Sequence, residues 1–205
     1  MTKLLAAAFV ALLMVGCGEP DLDDPATLGL AKIREAEVNG TTELDLNMAF
    51  FGIGKDLTRL AGLTNLKKLH LSWNQLTDLT PLKGLTNLEY LDLSRNQISD
   101  VSPLAGLTNL TSLSLDGNQI SDVSPLKGLT NLTSLSLSET QISEVSSLAG
   151  LTNLESLFLY GNQISDVSPL AGLPNLEMLF LEKTQISEDQ KAMLRKALPN
   201  CKICF

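Results

Sequence analysis

The chain has 205 residues, 44% of them hydrophobic, enough for one domain with a substantial core. Its 15 basic and 23 acidic residues leave a formal net charge of −8, so phosphate backbones and anionic lipid repel it and nucleic acid is excluded as a partner. The one histidine, His70, rules out a multi-histidine metal site or a histidine-rich catalytic centre.

The chain opens on MTKLLAAAFVALLMVGCG. Lys3 supplies a short positive segment, and Leu4 to Val15 form an apolar run of twelve. A spanning helix needs about 20 apolar residues, so a cleaved secretory signal fits better. Met14-Val15-Gly16-Cys17 resembles the lipobox of bacterial lipoproteins, with methionine where leucine is usual. That resemblance implies a signal peptide over 1–16, lipid attachment at Cys17 and a lipidated linker over 17–23. Gly18 after the cysteine, rather than aspartate, implies the outer membrane of a bacterial cell envelope. An ordinary signal with an incidental cysteine is the alternative. The six residues Gly18 to Asp23 reach about 13 Å on average, so the domain is expected close to its membrane.

Asp24-Pro25 starts a predicted helix running to about Glu37. Leu28, Ala31 and Ile33 are available to cover the first unit of the core, which makes residues 24–40 an N-terminal helical cap. Farther along, GLTNL or GLPNL recurs at Gly62, Gly84, Gly106, Gly128, Gly150 and Gly172, always 22 residues apart. A fixed period in this range means a solenoid. Each unit reads L-x-x-L-x-L-x-x-N, as in Leu110, Leu113, Leu115 and Asn118. This is the leucine-rich repeat signature, and the 22-residue length with NQISDVSPLAGLTNL resembles the internalin-type bacterial subclass.

The L-x-L core predicts a short strand whose leucines face inward while the residue between them faces out. One unit cannot bury its own leucines, so neighbours stack into a parallel sheet. The expected fold is an α/β leucine-rich repeat solenoid, curved and right-handed. Its parallel sheet lines the concave face, short turns or 3-10 segments line the convex face, and caps close both ends. Asn74, Asn96, Asn118 and Asn162 suit bonding between turns, while Thr140 and Thr184 replace asparagine and should loosen the ladder. Ser102-Pro103, Ser124-Pro125 and Ser168-Pro169 look like a cap followed by proline at the start of a turn. Repeats are expected over 41–186. Thr41, Leu44 and Leu46 form a degenerate first unit, 25 residues before the next, and Gly52-Ile53-Gly54-Lys55 absorb the extra three as a flexible insertion. A closing helix from Ser187, with Gln190 completing a capping box and Met193, Leu194, Ala197 and Leu198 on one face, leads to a last strand within 187–205. Aligning LPNCKICF with LPNLEMLF puts Cys201 on Leu176 and Cys204 on Leu179, giving eight strands and a face roughly 34 Å long.

No phosphate loop, nucleophile elbow or zinc-protease motif is present, so no catalytic residue, metal site or cofactor is expected. Cys201-x-x-Cys204 reads as core cysteine, with a disulfide as the alternative in an oxidising envelope. Specificity should then sit at outward strand positions. The middle outward row reads Asp45, His70, Asp92, Ser114, Ser136, Phe158, Phe180, Phe205. Its C-terminal end, with Tyr160, Met178 and Ile203, forms one apolar zone; His70, Trp73, Tyr90 and Arg95 form a second cluster at the other end. These are the candidate partner-binding residues, because aromatic and arginine anchors favour interfaces. Stacking of phenylalanines along the sheet is the plainer alternative. The expected function is a non-enzymatic module, lipid-anchored, holding a protein partner on its concave face. The alternatives are a self-associating, oligomeric envelope protein or an internalin-like adhesin.

Overall fold

Three-residue strands with one inward leucine each have no stability alone, and the fold arises from stacking them. The computed structural model describes residues 25–49 and 57–205. The lipobox with Cys17, the linker and the insertion around Gly52 lie outside the described residues. Helix α1 spans Pro25–Asn39 and ends at Gly40, whose φ of +61° provides the left-handed stop that glycine adopts most readily. Eight strands come next: β1 (Glu43–Asp45), β2 (Lys68–His70), β3 (Tyr90–Asp92), β4 (Ser112–Ser114), β5 (Ser134–Ser136), β6 (Ser156–Phe158), β7 (Met178–Phe180) and β8 (Lys202–Cys204). They form a single parallel sheet in chain order. Short 3-10 turns such as Thr58–Gly62, Ser102–Gly106 and Ser168–Gly172 return the chain on the opposite side. Helix α2 (Glu188–Ala197) precedes β8. The architecture is the expected curved solenoid.

The register is uniform. Leu44, Leu69, Leu91, Leu113, Leu135, Leu157 and Leu179 are partners along the ladder, and all are buried. Leucines of the turns, Leu60, Leu82, Leu104, Leu126, Leu148 and Leu170, close the core from the convex side. Each fully buried leucine contributes about 1.5–3 kcal/mol.

Two asparagine ladders tie the turns together. In the first, Asn96 Nδ2 donates to Leu71 O and Leu93 O, both at 2.9 Å, and its Oδ1 accepts from Leu76 N at 2.9 Å. Asn118 and Asn162 repeat this pattern. The second was not anticipated: from Asn87 onward the asparagine of the GLTNL or GLPNL segment donates to a threonine carbonyl one repeat back, as Asn109 does to Thr86 O at 2.9 Å. Asn87, Asn131, Asn153 and Asn175 do the same. Thr140 has one hydroxyl proton to place between Leu137 O at 2.9 Å and Asn162 Oδ1 at 2.6 Å. It lacks the amide that would reach Leu115 O and the carbonyl that would receive Ile120 N.

Turn starts differ from expectation. Ser102, Ser124 and Ser168 are the first residues of their 3-10 turns rather than caps. The N-cap residues are Val101, Val123 and Val167, and the turn is held by the aspartates just before them: Asp100, Asp122 and Asp166 accept from the serine N–H at 2.8–2.9 Å, and Asp78 accepts from Thr80 N. Asparagine and aspartate side chains fit this local turn well. At the N-terminal end Ile33 and Ala36 are buried against the first repeat, while Leu28 is 46% exposed and Ala31 only partly covered. At the other end Ser187 accepts from Gln190 N, as expected. Gln190 does not complete the box; its Oε1 accepts from Val167 N and fastens α2 to the preceding turn. Leu194 and Leu198 are buried and Ala197 is exposed.

The last strand corrects the alignment by one residue. Ile203, not Cys204, pairs with Leu179, and Cys204 pairs with Phe180. The Cys201 N–H donates to Leu198 O at 3.1 Å, as the Leu154 N–H does to Leu151 O, so Cys201 keeps the Leu176 place and packs against the core. The run from there to the strand is one residue shorter than in the repeats. The slip puts Ile203 and Phe205 inward, and these cover more apolar surface than a cysteine would. Phe205 and Ile203 therefore leave the concave face. The Phe205 ring lies under α2, with Lys191 Nζ at 5.7 Å and the Arg195 guanidinium at 4.9 Å from its centroid. Cys201 and Cys204 are free thiols at opposite ends of an extended segment. Three residues of strand separate Cα atoms by about 10 Å, too far for a disulfide. Burial pushes the Cys201 thiol pKa up.

These contacts lead to two expected outcomes. Thr140→Asn restores two ladder hydrogen bonds and should stabilise the protein by about 1 kcal/mol, measured by urea denaturation; no gain would show the ladder is not limiting at that repeat. Asp122 and Asp166 are held below the usual carboxylate range, first by the backbone N–H of Ser124 and Ser168 and then by the serine side chains. Asp78 is lowered chiefly by the side chain of Thr80. A lowered folded-state pKa gives stability that is complete above the unfolded value of about 3.9 and lost as pH falls through the folded one. Asp122→Asn with Asp166→Asn keeps the acceptors without the titration. Between about pH 5 and pH 2 the thermal midpoint of that variant should fall less steeply than that of the parent.

Candidate functional site

The concave face is built from outward residues at either side of each buried strand leucine. At its centre these are small and polar, and they satisfy one another. Asp116 accepts from Ser136 Oγ and Ser138 N, both at 2.6 Å, and from Ser114 Oγ at 3.2 Å. The carboxylate has its partners within the sheet, which leaves the centre a weak place for a ligand.

The candidates at the N-terminal end fall into two pairs. On the strands, the His70 and Tyr90 rings lie 4.8 Å apart at 38°. Glu43 stands 3.9 Å from His70 Nε2 and 3.6 Å from Lys68 Nζ. Burial, then the Asp92 charge, raises the Tyr90 phenol pKa. One turn beyond the strands, the Arg95 guanidinium lies 5.7 Å from the Trp73 ring. Such a contact at an exposed site is worth about 0.5–1 kcal/mol.

At the C-terminal end Phe158 and Phe180 stack face to face, 4.9 Å apart at 12°. Met178 stands beside Ser156 and is 38% exposed. Lys183 Nζ sits 4.9 Å over the Tyr160 ring. Hydrogen bonding to the Tyr160 side chain, followed by charge interaction with it, raises the Lys183 pKa, and Glu139 adds to the effect. Beside them Glu182 carries a buried carboxylate oxygen, Oε2, with no hydrogen-bond partner. Of the expected apolar zone, Phe158, Tyr160, Met178 and Phe180 are brought together. Phe205 and Ile203 are not.

The residues just beyond the outward strand positions, a row readable from the repeat, form a ridge along the edge of this face whose left-handed backbone the residue types do not announce. Met48, Trp73, Arg95, Gly117, Glu139, Gly161 and Lys183 come after successive strands, and all have φ between 54° and 70°. For the five that are not glycine this left-handed backbone costs roughly 1–2 kcal/mol each. Arg95 Nη1 crosses Gly117 to meet Glu139 Oε2 at 2.8 Å. A Cβ on Gly117 would stand 2.8 Å from Arg95 Cδ, so the glycine is what lets the side chain lie flat. The available signal was glycine interrupting a row of long side chains.

Two open grooves of about 740 and 510 Å³ lie elsewhere, along the Asn65–Asn87–Asn109 rim and between α1 and β1. Neither touches the aromatic residues. Among the described residues no three His, Cys, Asp or Glu side chains gather as metal ligands, and no helix is long and apolar enough to cross a membrane.

The family model "Leucine Rich repeats (2 copies)" matches residues 64–106, 108–150 and 152–192. Among solved structures the chain is similar to an internalin (inlF) from Listeria monocytogenes, at 40% identity and a TM-score of 0.69, covering 73% of this chain and 44% of that one. It is similar to internalin C2 (inlC2) of the same organism at 35% identity and a TM-score of 0.65, covering 89% of this chain and 91% of that one. A leucine-rich repeat protein of Leptospira interrogans matches at 33% identity and a TM-score of 0.68, covering 72% of this chain and 39% of that one. The chain thus spans less than half of the first and third of these. Among curated proteins none matches it. The repeats, the parallel sheet and these likenesses agree: the chain belongs to the leucine-rich repeat family and is of the internalin type.

Proposed function

We propose that this is a non-enzymatic protein-binding module, lipid-anchored through Cys17 to the outer membrane of a bacterial envelope. It holds a protein partner on its concave face. The observation that carries the reading is the apolar step at the C-terminal end, where Phe158, Phe180, Met178 and Tyr160 succeed a face of self-satisfied serines and aspartates. Aromatic side chains gain most on burial, and the polar centre beside them offers little competition. A groove for a small molecule would enclose its ligand; an open face of this kind suits a protein surface. His70, Trp73, Tyr90 and Arg95 form a second contact for a partner long enough to cross the face, four strands away.

Phe158→Ser with Phe180→Ser puts the central serines of β4 and β5 into β6 and β7, so the fold should persist. A monomeric parent should stay monomeric and lose a partner captured from envelope extract, with affinity falling at least about a hundredfold if both rings are anchors. Retained capture would overturn the assignment. Dissociation of an oligomeric parent, seen by size measurement, would instead favour self-association. Cys17→Ser should abolish lipid labelling, and membrane retention without any label would sink the anchor.

A further inference from the structure

The sheet ends in β1 on one side and β8 on the other, and each end strand has an edge with no strand beside it. Register decides which backbone groups face that edge. In β2, Lys67 O accepts from Tyr90 N and Leu71 N donates to Asp92 O, so alternate residues serve the following strand. By the same alternation the outer groups of β1 belong to Glu43 and Asp45, and side chains occupy them. Thr41 Oγ1 donates to Glu43 O at 2.8 Å and accepts from Glu43 N at 3.3 Å, and Lys32 Nζ donates to Asp45 O at 2.9 Å. This edge is blocked, as native sheets commonly block theirs. At β8 the Lys202 N–H donates to Glu177 O and Cys204 O accepts from Leu181 N, both toward β7. Cys201 O, Ile203 N and O, and Phe205 N therefore face outward, and among the described residues nothing bonds them. Helix α2 packs on the turn Ser168–Gly172 rather than across β8. The inward side chains share this exposure: Ile203 and Phe205 are only partly covered, whereas Leu157 and Leu179 of the preceding strands are fully buried.

We infer that the β8 edge pairs with the β8 edge of a second copy, antiparallel about a two-fold axis midway between the two Ile203 residues. The blocked β1 edge leaves no head-to-tail stacking of β8 on β1, so the pairing closes at two copies instead of growing into a filament. Centred on Ile203, it lets the two Ile203 residues exchange N–H and C=O, while Phe205 N of each copy reaches Cys201 O of the other. Lys202 then stands opposite Cys204 of the second copy, so like charges do not face each other. The same axis sets α2 antiparallel to its copy. Gln190 faces the repeats through its bond to Val167 N. At 100° per residue Glu188, Ala192 and Arg195 lie on the opposite side of α2, with Lys196 at the margin. Glu188 of one copy is thereby turned toward Arg195 and Lys196 of the other, across the small Ala192. A second copy thus suits this end in hydrogen bonding and in charge, and it supplies the missing neighbour for Ile203 and Phe205. Both concave faces stay on one side of the joined sheet, with the two β7 strands three spacings, about 14 Å, apart. The two Phe158–Phe180 zones can then engage one assembly together, which raises avidity without any new contact. The pairing itself does not depend on what the concave face binds.

Substitutions at the outward positions of β8 test the pairing in the full chain, solubilised in mild detergent, because they leave the core side of the strand untouched. A non-hydrogen-bonded antiparallel pair brings Cα atoms to about 4.5 Å, within disulfide range. Lys202→Cys should therefore form a covalent dimer with Cys204 of the second copy under copper–phenanthroline oxidation, seen by mass as the joined peptides. The parent should not crosslink through Cys204, because its two Cys204 Cα atoms would stand about 8 Å apart. Sedimentation should show a dimer for the parent, about tenfold weaker pairing for Cys204→Lys, and restored pairing when Lys202→Glu is added to it. Phe158→Ser with Phe180→Ser should leave the dimer whole. Loss of the dimer in that variant, or a dimer in which position 202 never joins Cys204, overturns the inference. A parent that sediments as a monomer at its highest soluble concentration also overturns it, and leaves the edge to a strand from another protein.

Discussion

Everything in this molecule depends on the in-register stacking of one inward leucine per strand. A three-residue strand carries too few hydrogen bonds to persist, and one leucine has nothing of its own repeat to pack on. Parallel pairing at a constant register solves both problems together, because it brings Leu69, Leu91 and Leu113 to the same depth. The asparagine amides then bind carbonyls that the tight turns leave without strand partners. The two ladders lie on either side of the strands, so a turn on each side is fastened to its neighbour.

That constraint also fixes what is free. Register claims the inward leucines and the turn asparagines, and leaves the outward strand positions and the ridge residues to vary. The central repeats use this freedom for serine and aspartate that bond to each other. The end repeats use it for rings. Stacking of Phe158 on Phe180 does some of the work of burial within the sheet, so the pair is both a local stabiliser and an apolar surface. The two descriptions concern different faces of the same rings.

Much of the fold was legible because leucine spacing is a direct image of the core. A period of 22 read from GLTNL gives the strand order and the register for β2 to β7 without further information. Legibility failed where the period did. Alignment by composition set LPNCKICF on LPNLEMLF, but an α-helix approaches β8 and the run is a residue shorter, so Ile203 and Phe205 turned inward. The Ser-Pro pairs have the composition of a cap and first turn, but the acceptors are Asp100, Asp122 and Asp166 two residues earlier, which that composition does not mark. The left-handed ridge was hidden for a different reason. Backbone sign is not written in residues such as Trp73, Arg95 or Lys183, which seldom adopt it. Of the candidate site, the grouping at each end was readable, and the pairing of rings and cations was not.

The Arg95–Glu139 contact has a consequence for how the solenoid comes apart. A stack of repeats in which each touches only its neighbours behaves as a one-dimensional chain and can unzip one unit at a time from either end. Arg95 and Glu139 belong to repeats two apart, and the bond runs over the absent side chain of Gly117. It adds a next-nearest-neighbour coupling to an otherwise linear system. Both side chains are 45% exposed, so the pair is worth about 0–1 kcal/mol, and losing the repeat that holds Glu139 removes only that much support from the one that holds Arg95. A missing Cβ in one repeat thereby lets its two neighbours touch each other directly.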